Sequence, residues 1–349
     1  MHRKFLPSFT YLIAWVIYLG LGHQSIEKVF IDTANNIPVW FMSITMVFGG
    51  FVAGFTSCGG SAVAFPVMNL LFQFSPTISR DFGLLIQSFG MTTASFSILL
   101  QKTSIDTRAI AICSSSGALG FIIGLSFIVN EITPIYKKMF YASIWYSFAY
   151  SHYLTSFKNS NKTSKCSKTI KSTLLIFLIG FFGGIFTSMA GGGIDMILFA
   201  LMTLTFNVDD KIATRTSIIS MAINTVFGSL WRIFINTQGL ELELQRKLLQ
   251  ACVPIVVVCA PLGSIVCNIV SHRVLLFSLY FLCSLQLLTA LIVTKPWSYG
   301  SQIDALVLCV SSFGVLFGSL GVFKVMNRIS NKFVKFELEL EAQVVTQTY

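Results

Sequence analysis

Long apolar runs alternate with short polar segments along the whole chain. Runs of about 18 residues or more, enough to span a bilayer, lie near 82–100, 108–129, 138–157, 212–234, 248–270, 274–294 and 303–323. Each predicts a membrane helix. A shorter run, from about Phe9 to Gly22, follows Arg3 and Lys4. It reads as an uncleaved first helix. The alternative is a signal peptide cleaved near Leu19-Gly20-Leu21-Gly22.

Two further runs, 40–74 and 174–206, are interrupted where a membrane helix should continue. The first break runs from Gly49-Gly50-Phe51 through Gly54-Phe55-Thr56-Ser57-Cys58-Gly59-Gly60-Ser61. The second runs from Gly180-Phe181-Phe182-Gly183-Gly184 through Phe186-Thr187-Ser188-Met189-Ala190-Gly191-Gly192-Gly193. A shift of 131 positions lays Phe-Thr-Ser on Phe-Thr-Ser, and Gly49, Phe51 and Gly60 on Gly180, Phe182 and Gly191. Paired interruptions in two halves point to a transporter's binding site. Non-helical backbone at membrane depth must be shielded by protein or line a cavity.

The division that follows is an N-terminal extension over 1–39, a first repeat over 40–157, a basic linker over 158–172, a second repeat with a final helix over 173–323, and a fraying tail over 324–349. The linker stretch 158–171 carries five lysines and no acid. If both broken runs cross fully, it and the basic N-terminus end on opposite sides. If each is a re-entrant hairpin, the N-terminus, this loop, His272-Arg273 and the Lys324–Lys335 tail share one side, as the positive-inside rule requires. The hairpin reading gives each half one hairpin and three spans, so the halves insert with opposite topology. The expected fold is therefore an all-α polytopic membrane protein of two inverted repeats, in a cell membrane, with both termini cytoplasmic. Against it stands the length of Trp40–Thr56, whose 17 residues make about 25 Å of helix.

Composition narrows the class. The chain is 54% hydrophobic and 11% charged, where soluble domains carry about 25% charge. The net charge of +10 does not indicate nucleic acid, because the basic residues cluster between and beyond apolar runs. The eight cysteines show no C-x-x-C pair and the four histidines no ligand spacing, so neither a metal nor another cofactor is expected. No Gly-x-Ser-Gly, paired membrane aspartates or His-Glu-x-x-His marks an intramembrane enzyme.

The breaks have a chemistry suited to anions. Glycine lets backbone turn tightly and approach a ligand. The second arm of each hairpin begins with free N–H groups at the positive end of a helix dipole, a ready anion site. The expected site is Ser57, Cys58, Gly59, Gly60 and Ser61 with Thr187, Ser188, Gly191, Gly192 and Gly193. Close helix packing is the plainer use of the same small residues. The helix after each hairpin carries a polar face: Gln87, Gly90, Thr93 and Ser97, then Ser217, Ser220, Asn224 and Gly228. Thr93 maps onto Asn224, and both join the candidate site; interhelix hydrogen bonding is the alternative. Asp195 sits just past the glycine triplet, in an apolar run where an ionisable group is expensive to keep. It is either a helix N-terminal cap or the carrier of a coupling proton. Arg80, Lys211 and Arg215, near the ends of spans, read as interface anchors.

The whole pattern resembles the sulfite exporter TauE/SafE family, in which a break like Gly-x-Gly-Gly-Gly is followed by apolar residues and a proline. The first copy here reads Ser57-Cys58-Gly59-Gly60-Ser61-Ala62-Val63-Ala64-Phe65-Pro66, and the second Met189-Ala190-Gly191-Gly192-Gly193-Ile194-Asp195-Met196-Ile197. Ala213-Thr214-Arg215-Thr216-Ser217 matches the family's Ala-x-Gly-Thr-Ser-like helix start, with Arg215 in place of a small residue. The resemblance covers about 41–325. It implies a permease, not an enzyme, exporting sulfite, a sulfonate or a related small sulfur-containing or organic anion; a proton or another ion as coupling partner is the reading that Asp195 opens. The residues leave an anion channel and a non-transporting scaffold or receptor open, and they do not fix the oligomeric state.

Overall fold

The apolar runs form eleven helices in a computed structural model that describes residues 5–21, 29–30, 33–34, 37–56, 59–60, 63–64, 67–68, 72–129, 131–156, 163–166, 169–298, 300 and 302–347. These are α1 (Leu6–Leu21), α2 (Val39–Phe55), α3 (Pro76–Leu100), α4 (Thr107–Ile123), α5 (Pro134–Ser156), α6 (Ile170–Ala190), α7 (Ile194–Leu204), α8 (Asp210–Phe234), α9 (Leu242–Ile269), α10 (His272–Thr294) and α11 (Gln302–Gln347). A π-helical turn, Gly124–Ile128, extends α4. Thr33–Ala34 and Ile37–Pro38 pair as a two-residue antiparallel ladder. Among the described residues seven helices, α3, α4, α6, α8, α9, α10 and α11, are long and apolar enough to cross a membrane; the expected span at 138–157 forms α5 but is not one of them, and the first arm of the second broken run, α6, is. The protein is an all-α polytopic membrane protein.

Local chemistry sets the helix starts. Ser75, with Pro76 at the first helical position, caps α3, Asp106 caps α4, and Thr169 caps α6. Each accepts a bond from an otherwise orphaned N–H of the first turn. Pro254 lies inside α9 and has no N–H for the carbonyl of Gln250. The Trp15 indole N–H fills that vacancy at 2.8 Å and ties α1 to α9.

Both broken runs turn back on themselves. Arg108, in the first turn of α4, donates to the Thr173 hydroxyl in the first turn of α6. Thr163, ahead of α6, bridges Val208, just beyond α7. The start of α6 and the end of α7 therefore lie at one end of the bundle, where α8 begins. Ser43, in the second turn of α2, donates to the Ala251 carbonyl of α9, and Gln245, at the start of α9, donates to the Ile78 carbonyl at the start of α3. The first hairpin therefore opens at the end where α3 begins. α3 and α8 run side by side and antiparallel, with Asp81 against Arg232 and Leu84 against Ser229.

Each hairpin's first arm packs against a helix of the other half. A Cβ on Gly54 of α2 would come within 1.8 Å of the Ala260 carbonyl of α9, and one on Gly263 within 2.1 Å of that of Phe51. In the other pair, a Cβ on Gly184 of α6 would come within 2.0 Å of the Gly117 carbonyl of α4, and one on Gly120 within 1.9 Å of that of Phe181. Backbones this close exclude any side chain, the usual device where helices have lipid around them and no water to expel. Large apolar side chains such as Phe277, Phe281, Phe313 and Phe317 are exposed on α10 and α11, as a lipid-facing surface requires.

Two expectations change. Arg80 is not an interface anchor: it is 6% exposed and paired with Asp81 at 2.7 Å. Lys211 and Arg215 are also engaged, Lys211 with the terminal carbonyls of Asn268 and Val270, Arg215 with the Asn268 side chain. The last helix does not stop near Phe323 but continues to Gln347, because no glycine or proline follows Gly321 to end it.

Candidate functional site

The second break is built on glycine. Gly191 ends α6 at φ 77°, and Gly193 precedes α7 at φ 152°, conformations that residues with a Cβ rarely adopt. The Gly191 N–H reaches the Thr187 carbonyl at 2.9 Å. A Cβ on Gly191 would sit 2.4 Å from the Arg80 carbonyl of α3. Gly192 is buried between them. The Thr187 hydroxyl donates to the Gly183 carbonyl and accepts from the Ile194 N–H at 3.2 Å, so it joins the two arms. Ser188 donates to its own helix at the Ile185 carbonyl.

In the first break Gly59 has φ 69°. Gly60 folds against α2, its Cβ position 2.9 Å from the Gly49 carbonyl. Its own carbonyl accepts from Val63 and Ala64. Ser57, Cys58 and Ser61 lie outside the described residues.

The two breaks meet at Gln87. This side chain, 2% exposed on α3, donates from Nε2 to the Gly191 carbonyl at 3.2 Å. Its Oε1 lies 3.0 Å from the position a Cβ on Gly59 would take, and Asp195 Oδ2 lies 3.1 Å from the same point. Among the described residues neither oxygen has a hydrogen-bond donor. Two buried acceptors thus crowd one glycine.

Asp195 is 2% exposed in the first turn of α7. Its Oδ1 accepts from the Met196 N–H at 2.9 Å, and the N–H groups of Gly193 and Asp195 also face the carboxyl. The free N–H groups expected here to hold an anion are thus shared between Thr187 and Asp195. An anion reaching this helix end competes with the chain's own carboxylate.

The polar faces divide. Asn224 donates to the Ser220 carbonyl, and its Oδ1 has no donor among the described residues. Asn224 Oδ1 and Ile194 crowd the same flank of Gly117, which puts Asn224 beside the second break. Thr93 is fully buried and, among the described residues, bonds only to carbonyls of its own helix, Phe89 and Gly90. Ser97 and Ser220 make the interhelix bonds of the alternative reading, to Ser264 at 3.2 Å and Ser114 at 3.1 Å.

Two clusters escaped the sequence reading. Arg80, Asp81 and Arg232 join where α3 starts and α8 ends. At the opposite end Asp210 bonds both His152, at 3.2 Å, and His272, at 2.9 Å. The signal for the first was present: Asp81 and Arg232 are charges inside apolar helices. The histidines are 120 positions apart, and nothing in the sequence links them.

The family model described as Sulfite exporter TauE/SafE matches residues 42–292. No curated protein and no solved structure matches the chain.

Proposed function

This chain belongs to the sulfite exporter TauE/SafE family, and we propose that it moves a small sulfur-containing anion such as sulfite past its two glycine breaks by alternating access. Membership makes it a multi-pass membrane transporter of the class that handles such anions. The finer reading rests on one observation above all: Gln87 reaches the Gly191 carbonyl with one end and Gly59 with the other. Ligand sites in transporters of this design lie where broken helices from two halves meet. The reciprocal crossings of α2 on α9 and α6 on α4 support reading the halves as inverted repeats, since an internal two-fold repeats each contact.

Asp195 belongs to the coupling step in this reading. A proton on its carboxyl supplies the donor that Asp195 Oδ2 and Gln87 Oε1 both lack among the described residues, and it removes a negative charge from the approach of an anion. The carboxylate form repels the anion. Binding and release are thereby tied to the state of one side chain. The protein works in the cell membrane with the 158–171 loop and both termini cytoplasmic.

Counterflow of labelled sulfite into proteoliposomes tests the reading. Gly191→Leu puts a branched side chain against the Arg80 carbonyl at a φ that disfavours it, and Gly60→Leu fills the contact with Gly49. Both are expected to abolish saturable counterflow while the protein still purifies as a monodisperse species. Wild-type flux through either variant would remove the breaks from the route. Flux that never saturates would identify a channel.

A further inference from the structure

A buried positive charge lies one stretch of helix away from the breaks. Asp81, 1% exposed, accepts from two arginines. Arg80 donates Nε and Nη2 to Oδ1 at 2.9 and 2.7 Å. Arg232 donates Nε to Oδ1 at 3.2 Å and Nη2 to Oδ2 at 3.0 Å. Arg232 also gives Nη1 to the backbone and side-chain oxygens of Asn236. Two cations thus share one carboxylate, with Arg80 6% and Arg232 2% exposed. Lys137, in the first turn of α5, lies within Coulombic reach of Arg80 and adds to the surplus.

The arginines are not equivalent. Arg232 spends its donors on Asp81 and Asn236, and so bolts α8 to α3. Arg80 uses two of the five N–H groups a guanidinium carries, and among the described residues its Nη1 makes no hydrogen bond. A buried cation without a matching anion is an unfavourable resting arrangement that a bound anion relieves. Guanidinium edges match oxyanions in geometry as well as charge.

Arg80, Leu84 and Gln87 share one face of α3, at i, i+4 and i+7. Both the Arg80 carbonyl and the Leu84 N–H pack against Gly191, and Gln87 bonds its carbonyl. Seven residues of helix separate Arg80 from Gln87 by about 10 Å.

We propose that Arg80, held beside Arg232 over Asp81, is a second anion-binding station, which takes a small oxyanion between the glycine breaks and the end of the bundle where α3 begins. The inference rests on the reading that the breaks carry an anion. The station supplies what the breaks lack: a fixed positive charge. It concentrates the anion at the mouth of the route, while the breaks, without an arginine of their own, let it go.

Equilibrium binding of labelled sulfite to detergent-purified protein, together with counterflow, tests this. Arg80→Gln removes the surplus charge and the free edge but leaves Arg232 paired with Asp81. It is expected to weaken sulfite binding about tenfold, raise KM for counterflow by a similar factor, leave kcat near wild type, and flatten the rise of KM with ionic strength. Arg80→Lys keeps the charge and the ion pair and loses the fork; it is expected to fall between the two, and it carries the test if Arg80→Gln does not fold. A purely structural role for Arg80 would lower stability and leave the salt dependence intact. If folded Arg80→Gln or Arg80→Lys binds sulfite as wild type does while Gly60→Leu loses flux, the station is overturned and the breaks stand. If wild-type protein binds no sulfite, both are overturned.

Discussion

Asp195 carries the most specific consequence at the scale of single residues. The helix start around it is already supplied with an acceptor: Met196 gives its N–H to Oδ1, and Thr187 takes that of Ile194. A carboxylate used only as a cap would be replaced by asparagine with little loss. What distinguishes Asp195 from a cap is Oδ2, which has no donor among the described residues and faces Gln87 Oε1 across Gly59. If the carboxyl gains and loses a proton during transport, Asp195→Asn is expected to retain anion exchange and lose the pH dependence of flux. Asparagine supplies a permanent donor there and cannot titrate. A pH–rate profile that overlays wild type would reduce Asp195 to a cap. Asp195 and the glycines were legible in the sequence, the first as a charge in an apolar run, the others as a repeated break. Gln87 was legible only as one member of a polar face. That it reaches both breaks depends on how α3 is rotated against α6, and no local rule fixes that.

Among the elements, the hairpins owe their seats to glycines that lie outside the candidate site. Gly54 on α9 and Gly184 on α4 allow backbone to touch backbone. Such contacts fix how deep each first arm enters, and so where each break comes to rest. Gly54→Ala puts a methyl group 1.8 Å from the Ala260 carbonyl. The helices must separate, at a cost of about 1–3 kcal/mol for overpacking. Gly314→Ala on α11 meets nothing within 4 Å and gains helix propensity. Thermal unfolding in detergent should therefore fall for the first and hold or rise for the second. Equal behaviour would mean the crossing does not bear on stability. The length objection to the hairpin reading bears on both first arms, since α6 is also long and apolar enough to span. α6 is 21 residues long and α7 only 11, so the arms are unequal. A nearly spanning first arm is compatible with a chain that turns back.

For the whole molecule, the question is which end faces which compartment. The loops holding Thr163, Val208 and His272 gather at one end, where the second hairpin opens. Here lie Lys165, Lys171 and His272-Arg273. The rule that short basic loops stay cytoplasmic assigns this end to the cytoplasm. A cysteine introduced at Lys165, which is exposed, should accordingly react with an impermeant maleimide only after the cells are opened, and Asn161 should carry no glycan. Labelling of intact cells at that position would invert the assignment and exchange the two mouths of the route. In the expected orientation the Arg80–Arg232 station faces outward, beyond the breaks as seen from the cytoplasm. If the protein exports its anion as proposed, that is a position from which the anion is passed on.

The sequence by itself determined the class of molecule, the number and place of its long helices, the two breaks and their register, and the family. All of these follow from short-range facts: apolar length against bilayer thickness, glycine and hydroxyl content, and a repeat at fixed spacing. Each can be read without knowing what lies across the bundle. The tertiary structure decided which of the flagged groups meet. It set Gln87 and Asp195 around Gly59, confined the Thr93 hydroxyl to its own helix, buried Arg80, and brought Arg232 from the far half to Asp81, 151 positions away. Partnership between buried polar groups is a property of helix rotation and depth, which the glycine contacts of the two crossings set through space. A charge in an apolar helix announces that it needs a partner; only the packed fold says which one it has.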